Sequence, residues 1–273
     1  MGSIARNTLH IQAASKQICK AFGIRLVTNP QIVQLAANAG YDALFIELEH
    51  SSLSLYDAST LCSAGLRAGI TPFVRVPHQC GNGFVQRVLD GGAMGVIFPH
   101  IKSKADAEAA VSISKYPPWG KRSMTGQLPI FDLKPTSPEM VMTDSNEKGS
   151  SVFLMIETKE SIQNINEIAA VRGVEVLLIG SNDLSIELGV PGQFKSEEFR
   201  SAVEAVSKAC RTHGKIFGLA GIYENAELHD WALDLGVGFI LAQQDSGLLA
   251  RSAREVTDAL NEIVEKRIAR NRS

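Results

Sequence analysis

The chain has 273 residues, 45% of them hydrophobic and 21% charged, which suits one large domain or two small ones with a sizeable core. A formal net charge of −2 gives no reason to expect a nucleic-acid or membrane partner, and "MGSIARNTLHIQ" lacks an apolar signal core. Four scattered cysteines with no CxxC pair argue against a zinc ribbon or disulfide scaffold and fit a reducing, cytoplasmic setting.

In chain order, residues 1–20 read as a helical N-terminal extension. Short apolar, β-branched runs then recur at "FGIRLV" (22–27), "ALFIEL" (43–48), "TPFVRV" (71–76), "MGVIFP" (94–99), "SVFLMIE" (151–157), "VEVLLIG" (174–180), "KIFGLA" (215–220) and "VGFILAQ" (237–243). Stretches of helical period separate them, and "LLARSAREVTDALNEIVEKR" closes the chain. Several of these stretches end in glycine, at Gly40, Gly69, Gly173, Gly214 and Gly236, as helix C-termini do. Eight strands alternating with eight helices predict an α/β fold, a (β/α)8 TIM barrel, with residues 1–273 as a single domain. No GxGxxG follows the first strand, which speaks against an open dinucleotide-binding sheet. Residues 116–150, rich in proline, glycine and polar groups without clear period, read as a long loop acting as a lid or intersubunit segment.

In such a barrel the active site lies at the C-terminal strand ends. Strand two delivers Glu47, Glu49 and His50 there, strand three Arg75, strand four His100 and strand five Glu157. Strand six delivers Asp183, and strand eight Gln243, Gln244 and Asp245. Strand parity puts Glu47 with Glu49, and Phe153 and Met155 with Glu157. An inward carboxylate at a dry strand end needs positive charge, and Arg75 cannot serve four of them. A divalent cation resolves the excess. Carboxylate ligands without cysteine favour Mg²⁺ or Mn²⁺, with Co²⁺ or Zn²⁺ as alternatives. Taken singly, Asp183 reads equally as a helix cap, His50 as a structural histidine, and Arg75 and His100 as loop anchors. Their convergence on adjacent strand ends favours a functional site.

The segments "LFIELEHS", "TPFVRVP", "VLDGGAMGVIFPH", "YPPWGKR", "MIET" and "LLIGSNDLS…LGVPG" resemble, in order, the motifs of the HpcH/HpaI aldolases. These are class II pyruvate-dependent aldolases of the phosphoenolpyruvate/pyruvate superfamily. The resemblance implies metal ligands at Glu157 and Asp183 and a base at His50. It implies a transition-state arginine at Arg75 and, at Asp90, an acid that raises the base's basicity. Substrate contacts fall on His100, Met155, Ser181, Asn182 and Asp183, with Glu47 and Glu49 supporting them. The implied reaction cleaves or forms 4-hydroxy-2-oxo acids through a metal-bound pyruvate enolate. Its small-molecule partners are a 2-oxo acid (pyruvate or oxaloacetate) and an aldehyde or other electrophile. A homo-oligomer, hexamer or trimer, with the last helix exchanged between neighbours, is also implied.

The pattern departs from the family at several positions. Glu47 replaces the usual aspartate of "IDGEH", Met155 a glutamine, and Gly180-Ser181-Asn182-Asp183 the usual "GPAD". His100 is similar to macrophomate synthase, a relative that joins an enolate from oxaloacetate to a pyrone. An oxaloacetate decarboxylase or macrophomate-synthase-like carbon–carbon bond former is therefore the alternative reading. A non-catalytic barrel used in assembly is a third.

Overall fold

The computed structural model describes residues 2–272. Its strands are β1 (Cys19–Ile24), β2 (Ala43–Glu47), β3 (Thr71–Arg75), β4 (Gly95–Phe98), β5 (Ser151–Ile156), β6 (Val176–Gly180), β7 (Ile216–Ala220) and β8 (Val237–Gln244). They pair in chain order and in parallel, and β8 returns to β1, closing the expected TIM barrel. The helices are α1 (Thr8–Ala14), α2 (Gln31–Asn38), α3 (Leu55–Ala68), α4 (Asn82–Asp90), α5 (Lys104–Ser114), α6 (Pro138–Asp144), α7 (Lys159–Gln163), α8 (Ile165–Ala169), α9 (Ser181–Glu187), α10 (Glu197–His213), α11 (Ala226–Asp234) and α12 (Asp245–Arg272).

Local chemistry sets these boundaries. Ser54 caps α3 and forms a reciprocal capping box with Asp57, and Gly69 ends the helix in the left-handed conformation at φ 75°. The strands are buried on both faces, so their runs are nearly continuous in apolar residues. Alternate residues still separate. Leu44, Ile46, Val74, Leu154 and Ile156 face the helices, while Phe45, Phe73, Phe153 and Phe239 fill the barrel. Phe153 packs 4.7 Å from Phe73 and 5.1 Å from Phe239, ring centre to ring centre. The same inward parity, carried one step toward the strand ends, presents Glu47 and Arg75 above this apolar layer and, carried two steps, past Met155, presents Glu157.

Two expectations need correction. β1 begins and ends three residues earlier than the run 22–27 suggested, because the N–H groups of Arg25, Leu26 and Val27 donate to the Asp245 carboxylate instead of to a neighbouring strand. Residues 116–150 do not cover their own mouth. They hold a 3₁₀ turn at Pro129–Phe131, α6 and a π-helical turn at Ser145–Gly149, and Tyr116, Leu128, Ile130, Phe131 and Val141 are buried with the barrel interior. The segment packs at the N-terminal strand ends, where the Ala5 N–H donates to Ile130 and the Asn7 side chain reaches Lys148 and Ser151. No helix among the described residues is long and apolar enough to cross a membrane.

Lys115 fastens this plug. Its side chain is fully buried, and Nζ donates to Glu175 at 2.7 Å and to the Asn146 carbonyl at 2.8 Å. Lys115→Met strands the Glu175 charge and is expected to cost about 3–5 kcal/mol in urea unfolding, with faster proteolysis within 116–150. Unchanged stability and cleavage would show that the plug is held elsewhere.

Candidate active site

A cavity of about 430 Å³ opens at the C-terminal strand ends, and its wall includes His50, Arg75, Glu157, Asn182 and Asp183. Its apolar floor comes from Phe45, Met155 and Leu241.

Glu47 answers why carboxylates crowd the end of β2. Its buried carboxylate bonds in two directions: Oε1 accepts the N–H groups of Glu49 (2.7 Å) and His50 (3.0 Å), and Oε2 accepts Arg75 Nε at 2.7 Å. A second Arg75 nitrogen, Nη2, closes the fork onto Oε2. Glu47 therefore fixes the turn that carries His50 and aims Arg75; it is scaffold. Arg75 Nη1 lies 3.4 Å from Glu49 and 3.5 Å from Met155 Sδ. Burial works against the Arg75 charge, yet Glu47, Glu49 and Glu157 together push its pKa above the ordinary value, so the guanidinium stays charged.

His100, expected as a substrate contact, is held between two carboxylates in this chain. It adopts φ 54°, a strained conformation for a residue other than glycine. In that pose its N–H donates to Glu157 Oε1 at 2.6 Å, Nδ1 lies 3.2 Å from the same oxygen, and Nε2 lies 3.4 Å from Glu49 Oε1. Both ring nitrogens face carboxylates, and the ring does not line the cavity; its edge contact at 5.0 Å is with His78. His100 orients Glu157 and Glu49.

Asp90, expected to act on His50, is engaged by Arg122 in this chain. It ends α4 and accepts Arg122 Nη2 at 2.7 Å, the buried guanidinium lying over the Tyr116 ring. Within one chain, the carboxylate beside His50 is Glu49, at 3.7 Å from Nε2. Asp245, read as a rim residue, is instead buried beneath the mouth, where it binds the loop after β1.

Among the described residues two carboxylate oxygens at the site are buried without a hydrogen-bond partner: Glu49 Oε2, which still has Arg75 at 3.4 Å, and Glu157 Oε2. His100 satisfies the other Glu157 oxygen, Oε1. Glu157 Oε2 lies against Gly180, where an added Cβ would stand 2.3 Å away, so a larger residue there would displace the carboxylate. Burial, with the nearby Asp183 charge, raises the Glu157 pKa, while His100 and Arg75 oppose the rise. An orphaned buried carboxylate oxygen beside a second carboxylate is the donor set that a hard divalent cation takes. Among the described residues no cluster of three or more His, Cys, Asp or Glu could hold a metal, so the protein would supply these two oxygens and leave other positions to water and substrate. Ser181, Asn182 and Asp183 form the first turn of α9, whose N–H groups lack partners within the helix, and Ser181 Oγ is buried without a partner.

Gln244, expected at the rim, lines the cavity, and so do two polar residues that the sequence did not single out, Arg25 and Tyr223. Burial, first among several influences, raises the Tyr223 phenol to about 12, so it is a neutral hydroxyl.

A model of the HpcH/HpaI aldolase/citrate lyase family matches residues 26–240. The chain belongs to that family. It is 57% identical over 258 residues to a 4-hydroxy-4-methyl-2-oxoglutarate aldolase of Hapsidospora irregularis, covering 94% of this chain and 96% of that protein. It is 55% identical over 263 residues to one of the same name from Chaetomium globosum, covering 96% and 98%. Among solved structures, the HpcH/HpaI aldolase from Desulfitobacterium hafniense superposes with a TM-score of 0.88 at 27% identity, covering 95% of this chain and 98% of that one. Macrophomate synthase, at 20% identity and a TM-score of 0.81 over 97% and 93% of the two chains, shares the fold alone. The chain is a carbon–carbon lyase of the HpcH/HpaI aldolase type.

Arg75→Met leaves Glu47 buried without its cation. A stability loss of about 3–5 kcal/mol is expected by denaturant unfolding, against a smaller loss for Arg75→Lys, which keeps the charge but not the fork. Equal stability of the two variants would contradict the scaffold role given to Glu47.

Proposed function

We propose that the protein is a divalent-metal-dependent aldolase that cleaves 4-hydroxy-2-oxo acids, and 4-hydroxy-4-methyl-2-oxoglutarate in particular, releasing pyruvate. The observation that carries this reading is the orphaned Oε2 of Glu157 beside Asp183 at the mouth. The names of the two relatives above support the substrate.

A Mg²⁺ or Mn²⁺ ion held by Glu157 and Asp183 would supply Lewis-acid polarisation of the 2-oxo group. The chain's own residues do the rest. Arg75, fixed by Glu47, presents fixed positive charge where negative charge develops on the C2 oxygen. The unpartnered N–H groups at the start of α9 receive the C1 carboxylate. His50, exposed at the mouth with Glu49 3.7 Å from Nε2, takes the proton of the 4-hydroxyl. The C4–O bond becomes a carbonyl, the C3–C4 bond breaks, and its electron pair moves to C3. Two pyruvates leave once C3 takes a proton from solvent, to which His50 gives up the one it removed. Met155 and Phe45 keep the reacting end against an apolar wall.

Incubation with 4-hydroxy-4-methyl-2-oxoglutarate is expected to release two pyruvates per substrate, and EDTA to stop the release until Mg²⁺ or Mn²⁺ is restored. Glu157→Gln should abolish Mn²⁺ binding by calorimetry as well as cleavage. Pyruvate release that EDTA does not affect would sink the metal role. His50→Ala separates this reading from decarboxylation: retro-aldol cleavage should fall about 10²–10⁴-fold while oxaloacetate decarboxylation, which needs no proton removed from a 4-hydroxyl, persists. Equal losses would show that His50 is not the 4-hydroxyl base.

Helix α12 supports a homo-oligomer, hexamer or trimer. Over its 28 residues Asp245 is the buried one, while Val256, Leu260 and Ile263, at helical spacing, are 61%, 56% and 62% exposed. A second copy covering this stripe accounts for it. Leu260→Asp is expected to lower the mass seen by light scattering, and an unchanged mass would place the interface elsewhere.

A further inference from the structure

We propose that Arg25 is a specificity-determining residue that binds the carboxylate at the far end of a dicarboxylic 4-hydroxy-2-oxo acid, the one bonded to C4. The inference rests on the aldolase reading above and narrows it to substrates with a second acid group.

The cavity wall holds two arginines. Arg75 is buried and committed to Glu47 and Glu49. Among the described residues Arg25 has no carboxylate within ion-pair distance of its side chain, which donates from Nη2 to the His50 carbonyl at 3.0 Å. A guanidinium has five N–H donors in a fixed fork, so this bond leaves most of that fork for another acceptor. The wall's remaining fixed charges, Glu47, Glu157 and Asp183, are negative. An anionic group entering beside His50 therefore meets Arg25 as its available cation.

Position supports the same conclusion. His50 is the group assigned to the 4-hydroxyl, and in an oxoglutarate skeleton the second carboxylate is bonded to the same carbon. Arg25, hydrogen-bonded to the backbone of that base, stands on the wall beside it. Arg25 also sits on a built support. Asp245, 1% exposed at the start of α12, accepts N–H from Arg25 (3.1 Å), Leu26 (3.0 Å) and Val27 (2.8 Å), which locks the loop that carries the side chain. Gly23, two residues earlier, leaves room for Gln244, since a Cβ there would stand 2.6 Å from Gln244 Cγ. The Tyr223 hydroxyl lines the same side of the cavity and feels the Arg25 charge. A solvated surface arginine would need none of this.

The second carboxylate keeps its charge throughout cleavage, so its contact with Arg25 is present in both ground and transition states. Loss of that contact should appear in KM more than in kcat. The test compares wild type, Arg25→Met and Arg25→Lys on 4-hydroxy-4-methyl-2-oxoglutarate and on 4-hydroxy-2-oxopentanoate, which carries a methyl where the second acid would be. Both release pyruvate. Arg25→Met is expected to lower kcat/KM for the dicarboxylate about 10- to 100-fold, mostly through KM, and to change the monocarboxylate less than about threefold. Arg25→Lys should recover part of the loss. Melting curves check that the variants stay folded, as substitution of an exposed side chain allows. Equal losses on both substrates would mean that Arg25 only holds the His50 backbone. No loss on either would mean a solvated side chain. Each result overturns the proposal while leaving the aldolase reading intact. If wild type cleaves neither substrate, that reading falls, and this one with it.

Discussion

Four carboxylates converge on the mouth of the barrel, and one buried guanidinium answers two of them. Charges this close interact with about 4 kcal/mol at 4 Å even when the effective dielectric is as high as 20. The arrangement therefore holds together only as a chain of compensations. Arg75 takes Glu47 and Glu49, His100 joins Glu49 to Glu157, and Glu157 is left with one buried oxygen unmatched beside Asp183. Arg75, His100 and all four carboxylates fall in this sequence. Its open end is where the proposed cation belongs.

The barrel makes the crowding possible. Inward positions alternate along each strand, so an aromatic layer of Phe45, Phe73, Phe153 and Phe239 is followed, two residues on, by Glu47 and Arg75. The layer excludes water from below, which raises the cost of any unpaired charge above it. At the opposite end, the N-terminal segment and residues 116–150 close the barrel with apolar side chains and the buried Lys115–Glu175 pair. Stability is concentrated at one end and chemistry at the other, the usual division of labour in this fold.

The strand count, the parity and the identity of the mouth were legible because period-two burial and helical spacing are local properties of the sequence. Glu157, Asp183, His50 and Arg75 could be placed for the same reason: each lies within three residues of a strand end. What a side chain does once there was less legible. Glu47 and Glu49 look alike in "FIELEH", yet Glu47 is consumed by two backbone N–H groups and Arg75 while Glu49 faces His50 and His100. Asp90 is taken by Arg122, 32 residues away, a pairing that no local spacing announces. Asp245 reaches back some 220 residues to stop β1 early, so Arg25 read as part of a strand and its place on the cavity wall was hidden. The apolar residues of 116–150 have no period because they plug the barrel's end one at a time, without forming a face.

The central claim is that the gap between Glu157 and Asp183 is a cation site. Crystals grown with Mn²⁺ and measured at an energy where manganese scatters anomalously test it directly. The account expects one strong anomalous peak within coordinating distance of Glu157 Oε2 and an Asp183 oxygen. A map with no peak there, or with Mn²⁺ bound only elsewhere, would contradict it.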